Sequence, residues 1–110
     1  LLFDNAKLTF LGYTAGTLLE TSGKSVAYLA ALDSGSAAVV TVGAAILDDA
    51  AEVSAAAGGE ILVTLRFMAL DAGTAAFTFL SGSAPFGSEL HDASAAVLPA
   101  AWHGGTLGIM

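Results

Sequence analysis

Gly59-Glu60-Ile61-Leu62-Val63-Thr64-Leu65-Arg66-Phe67-Met68-Ala69-Leu70 is the stretch that decides the fold. Ile61, Val63, Leu65 and Phe67 recur at every second position, with Glu60, Thr64 and Arg66 among the residues between them. That is the period of a pleated strand with one face in a core, so a strand is predicted with those four residues inward. Both flanks repeat the pattern. Downstream, Asp71-Ala72-Gly73-Thr74 turns the chain into Ala75–Leu80, where Phe77 and Phe79 share a face. Upstream, Lys7–Leu11 alternates around Leu8 and Phe10, and Gly12 and Gly16 open an irregular connection before Leu18 and Leu19. Ser25–Leu32 places Val26, Tyr28, Ala30 and Leu32 on one side, and Asp33-Ser34-Gly35-Ser36 tolerates the dihedrals of a turn. Ala38–Leu47 then returns as a hairpin. After a loop over Ser81–Asp92, Ala96–Trp102 and Gly105–Met110 flank His103-Gly104, a two-residue hairpin signal. Asp48–Gly59 alone has helical character, because Asp48 or Asp49 can cap a short run of alanines that stops at Gly58-Gly59. About seven strands at this spacing predict an all-β chain folded as an antiparallel β-sandwich, with Phe67, Phe77 and Phe79 in its core.

At 110 residues the chain is one domain. Its 55% hydrophobic and 12% charged residues exclude disorder, and charge is too scarce to cover the surface of a small domain. Large apolar patches are seldom left bare on monomers, so a partner is expected. The net charge of −7, set against only Lys7, Lys24 and Arg66, excludes binding to phosphate backbones. Without cysteine there is no disulfide scaffold, thiol catalysis or thiolate metal site, which fits an exported protein. Ser34–Leu47 is apolar but shorter than the roughly 20 residues of a membrane-spanning helix. Leu1 carries no Met, basic region or long apolar run after it, so processing or truncation is expected to have set this start. Asn5-Ala6-Lys7 forms no glycosylation sequon.

The passages Phe3-Asp4-Asn5-Ala6-Lys7-Leu8-Thr9-Phe10 and Thr14-Ala15-Gly16-Thr17-Leu18-Leu19 resemble the passage of cohesin modules that runs tyrosine, aspartate, proline, then a strand, then Pro-Gly-x-Leu-Leu. Gly59–Phe67 followed by Ala72-Gly73-Thr74 is similar to a later cohesin strand and its small-residue turn, and Trp102-His103-Gly104-Gly105-Thr106-Leu107 resembles the last hairpin. The resemblance spans nearly the whole chain and implies a jelly-roll sandwich, an extracellular or cell-surface location, and binding to a dockerin-like module without catalysis. It also implies further strands ahead of the position of Leu1. The sandwich is therefore expected to be completed by a strand from elsewhere, either the same polypeptide or a neighbouring copy, because an open edge and core groove invite strand addition.

If Val26, Tyr28, Val40, Val42, Ile46, Phe77 and Phe79 face the core, an opposite face of Ala27, Leu29, Ala31, Val39, Thr41, Gly43, Ala45, Thr78 and Leu80 carries no charge. Leu29, Val39, Thr41, Thr78 and Leu80 are its candidate interface residues, although a register slip of one residue would turn the face inward. His91, with Ser88, Glu89 and Asp92 nearby in sequence, and His103 are weighed as bases, but no G-x-S-x-G elbow accompanies them and both read as loop or turn residues. Asp48, Asp49 and Glu52 form a candidate Ca²⁺ cluster without EF-hand spacing, and acids opening a helix explain them as well. Gly104-Gly105-Thr106-Leu107-Gly108 lacks the lysine of a phosphate loop. Trp102, Tyr13 and Tyr28 could stack a sugar, with Tyr28 reading as core and Trp102 as a strand end. The expected function is a non-catalytic, cofactor-free extracellular assembly module that joins copies of itself in a surface or filamentous structure. The alternatives are a dockerin-binding recognition module and, less favoured, a carbohydrate-binding one.

Overall fold

The computed structural model describes residues 1–33, 35–48, 52–53, 59–80, 88–92 and 94–110. Among them the chain forms nine strands and one 3₁₀ turn, Leu19–Ser22. The strands are β1 (Leu2–Phe3), β2 (Leu8–Ala15), β3 (Val26–Leu32), β4 (Val40–Ile46), β5 (Val63–Ala69), β6 (Gly73–Thr78), β7 (Leu90–His91), β8 (Val97–Leu98) and β9 (Gly105–Ile109). Every pairing is antiparallel: β2 with β5, β3 with β4, β7 with β8, and β6 between β1 and β9. The fold is all-β, and no helix among the described residues is long and apolar enough to cross a membrane.

The alternation that predicted β5 is visible in its burial, with Val63, Leu65 and Phe67 half-buried while Thr64 and Arg66 are exposed. Phe67 is the hub of the core. Its ring meets Phe3 at 5.0 Å, Phe77 at 5.2 Å and Phe10 at 5.5 Å, all edge to face, the arrangement favoured by ring quadrupoles. Around this cluster Phe3, Leu8, Val39, Val40 and Ala75 are the fully buried hydrophobic residues among those described.

The two-residue strand β1 joins two sheets, a role that so short a segment cannot announce by periodicity. On one side Leu2 and Phe3 pair with Thr78 and Phe77 of β6. On the other, Leu1 and Val40 exchange two backbone hydrogen bonds of 2.9 Å, and the Phe3 N–H donates to the Ala38 carbonyl.

Several expectations are corrected. His103-Gly104 does not turn a hairpin: β9 pairs with β6, and only Val97–Leu98 of the expected strand Ala96–Trp102 is extended, pairing with β7. Gly104 instead runs against β6, where any Cβ would overlap the Phe77 carbonyl oxygen. Ile61 is 59% exposed and precedes β5. Its carbonyl accepts the N–H groups of Thr17 and Leu18 beside Gly16, a position that again has no room for a Cβ. Phe79 lies past the end of β6, 37% exposed, and packs on Trp102 rather than in the core. Tyr28 is half-buried, and its hydroxyl donates to Glu20 Oε1 at 3.0 Å. The helical turn expected within Asp48–Gly59 falls largely on 49–51 and 54–58, outside the described residues.

Candidate functional site

The β3–β4 ribbon carries the uncharged face. Its register sets Ala27 opposite Ala45, Leu29 opposite Gly43 and Ala31 opposite Thr41. These six residues occupy alternate positions on the two strands and so project from one face of the ribbon. Leu29 is 55% exposed, Ala27, Ala31, Thr41 and Ala45 are exposed, and Gly43 is half-buried. Leu29 and Thr41 of the expected interface are thus together.

The remaining three are not with them. Val39 is buried at 7% exposure, because β1 crosses the end of the ribbon and Leu2 bridges to it. Thr78 is exposed on β6, where it pairs with Leu2, and Leu80 is half-buried beyond that strand. Two-residue alternation treats all these strands as one surface, whereas the pairing distributes them over separate sheets.

Along β4 the ribbon borders a groove of about 620 Å³, which Thr41 and Gly43 of the uncharged face help to line. Val40, Val42 and Ala44 of β4 and Val63 and Leu65 of β5 give it apolar walls, and Leu1 lies in it. Phe79, Trp102, Glu89 and His91 complete the lining. The rings of Phe79 and Trp102 lie 5.2 Å apart and tilted by 49°, a pair that no pattern of residue types joins. Of the three rings considered for sugar stacking, Tyr13 and Tyr28 stand 6.4 Å apart, while Trp102 has Phe79 as its ring partner.

His91 has both ring nitrogens engaged, Nδ1 with the Ala95 carbonyl at 3.2 Å and Nε2 with Glu89 Oε2 at 3.0 Å. The carbonyl first, and the carboxylate next, favour the protonated ring and raise its pKa above the ordinary imidazole value. The Asp92 carboxylate accepts the N–H groups of Ser94 and Ala96 and so holds the β7–β8 turn. The Ser88 N–H donates to the Leu80 carbonyl. This arrangement organises a loop and leaves no ring nitrogen free to activate a hydroxyl. His103 is exposed.

Of the acidic cluster, Asp48 forms an ion pair of 3.4 Å with Lys24, Glu52 is exposed, and Asp49 lies outside the described residues. Among the described residues no three His, Asp or Glu side chains are grouped to hold a metal ion. No family model, curated protein or solved structure matches the chain.

Proposed function

We propose that the chain is a non-catalytic subunit that associates with further copies of itself in an extracellular or surface assembly. The architecture we propose for it is a cohesin-like jelly-roll sandwich, a reading supported by the antiparallel ribbons and by their packing around Phe67. One observation carries the functional proposal: six residues of the β3–β4 face pair across the ribbon without a charge among them, in a chain of net charge −7. Between copies of so acidic a chain, contact is favoured where no acid has to be desolvated, and apolar surface gains by being covered.

Sedimentation velocity over a concentration series tests this, with Leu29→Lys and Thr41→Lys beside the parent. Both sites are exposed, so a lysine there is solvated in the free chain and desolvated only on association. The expected result is association of the parent, weakened by about tenfold or more in either variant, which corresponds to only about 1.4 kcal/mol. A parent that stays monomeric throughout ends the proposal. A monomer that bound a dockerin-like module through this face would replace self-association by recognition.

A further inference from the structure

A ladder has edges as well as faces, and β4 and β9 each stand at the end of one. At the two ends of the ribbon the Val39 carbonyl accepts from Asp33 N–H, and Leu47 N–H donates to the Ser25 carbonyl. Odd-numbered residues of this segment therefore bond to β3. In an antiparallel ladder the intervening residues turn their N–H and C=O groups to the opposite edge. Val40 shows this by exchanging both of its bonds with Leu1. Val42, Ala44 and Ile46 face the same way along the line of β1, and among the described residues no strand pairs with them. The groove runs beside this edge, with Val42 and Ala44 in its wall.

The second open edge follows from the same alternation. Phe3 turns its N–H to Ala38, so Leu2 bonds to β6 opposite Thr78, and the even-numbered residues of β6 face β1. Its odd-numbered residues face β9, bonding Gly105, Leu107 and Ile109. Thr106 and Gly108 then direct their N–H and C=O groups outward, on a strand exposed from Gly105 to Gly108 whose outer edge no strand among the described residues pairs. Edges of this kind are ordinarily blunted by charge, proline or a bulge. Val40–Ile46 and Gly105–Ile109 contain no charged residue and no proline, and both pair in unbroken register.

Resting on the reading that copies associate, we propose that β9 of a second copy pairs with the open edge of β4 along the groove. A second copy fits for two reasons on the molecule itself. β9 is uncharged, so it brings no further acid of the net −7 chain to a groove that already has Glu89 in its lining, and its five residues match the five of the open run from Val42 to Ile46. The two edges are different surfaces of one chain, so the contact is head-to-tail and can repeat from copy to copy. Main-chain hydrogen bonds would hold it, as in strand addition generally.

Ala44→Pro and Gly108→Pro test the pairing, because each removes an N–H that faces an open edge while sparing the β3–β4 and β6–β9 ladders. In sedimentation velocity both variants are expected to keep the parent's circular dichroism and to associate at least about tenfold more weakly. If the parent associates and both proline variants match it, edge pairing is overturned while self-association stands. A parent that does not associate removes the self-association reading, and with it the assignment of the groove to a second copy. Should a proline variant unfold, single-cysteine chains decide, since the parent has no cysteine and a Cβ at Gly108 meets nothing within 4 Å. Ala44→Cys and Gly108→Cys chains, mixed and treated with a short bis-maleimide, are expected to give a dimer containing one of each. Failure to form it in an associating mixture overturns the pairing.

Discussion

Phe67→Ala is the substitution on which the placement of the core stands or falls. Three rings, those of Phe3, Phe10 and Phe77, meet Phe67 within 5.0 to 5.5 Å, so truncation strips one wall from each of them. Phe→Ala in a core typically removes about 3–5 kcal/mol, and each edge-to-face pair carries roughly 0.5–1.5 kcal/mol beyond its buried area. A small domain has a margin of about 5–15 kcal/mol. With only five buried hydrophobic residues among those described, the lower end applies, and Phe67→Ala should retain little folded population in water. Phe67→Leu keeps most of the apolar volume and loses the ring pairing, so a loss of about 1–2 kcal/mol is expected. Phe79→Ala is the control, because its ring is 37% exposed and its ring partner is Trp102. Its loss should be no more than about 1.5 kcal/mol. The assay is urea unfolding followed by circular dichroism at concentrations where the chain is unassociated, so that association does not add to the apparent stability. A Phe79→Ala variant less stable than Phe67→Ala would refute the placement of the hub.

Two other measurements address charge. Asp71 has its pKa lowered, first by the hydrogen bond from Lys7 at 3.2 Å and then by the Ala72 N–H. Its contribution to stability is present above the unfolded carboxylate pKa and is lost as pH falls through the lower folded value. His91, with a raised pKa, has the opposite sign: its contribution is complete below the unfolded imidazole value of 6.5 and is lost as pH rises through the folded one. Unfolding measured against pH should therefore show an acid-side slope that Asp71→Asn reduces and a near-neutral slope that His91→Gln reduces. Unchanged slopes in both variants would contradict these contacts. Association through uncharged surfaces of an acidic chain should strengthen between low salt and about 0.1 M, where the screening length falls to about 10 Å. Weakening with salt would instead indicate contacts made by charge complementarity.

The strands that were legible in the sequence are those whose two faces differ. Val63, Leu65 and Phe67 against Thr64 and Arg66 carry the contrast in side-chain chemistry, and their burial follows it. β3 and β4 pair in unbroken register up to the Asp33 N–H on the Val39 carbonyl, so alternation suffices to put Leu29 and Thr41 on one face. Val39 escaped because its burial depends on β1, and Leu2-Phe3 is too short to have a period. His103-Gly104 misled for a related reason. A turn dipeptide is a local signal, whereas the partner of β9 depends on the space that Gly104 leaves beside Phe77, a contact distant in sequence.

What no side-chain pattern reports is the edge. The period of two read from residue types assigns side chains to faces, but the same period in the backbone assigns N–H and C=O groups to one edge or the other, and every residue except proline carries them. Val42 and Thr41 differ visibly in which face they serve and invisibly in which neighbour they bond. Composition implied that apolar surface would need covering, and it could not distinguish a face that wants a flat contact from an edge that accepts a strand. That distinction rests on three sets of hydrogen bonds, Leu1 with Val40, Asp33 with Val39, and Leu47 with Ser25, which fix the parity of the whole β4 ladder. The uncharged face and the open edge of β4 are consequently different parts of one ribbon that meet at Thr41 and Gly43 in the groove wall, so Leu29→Lys on the face and Ala44→Pro on the edge are the pair that tests the two proposed contacts apart.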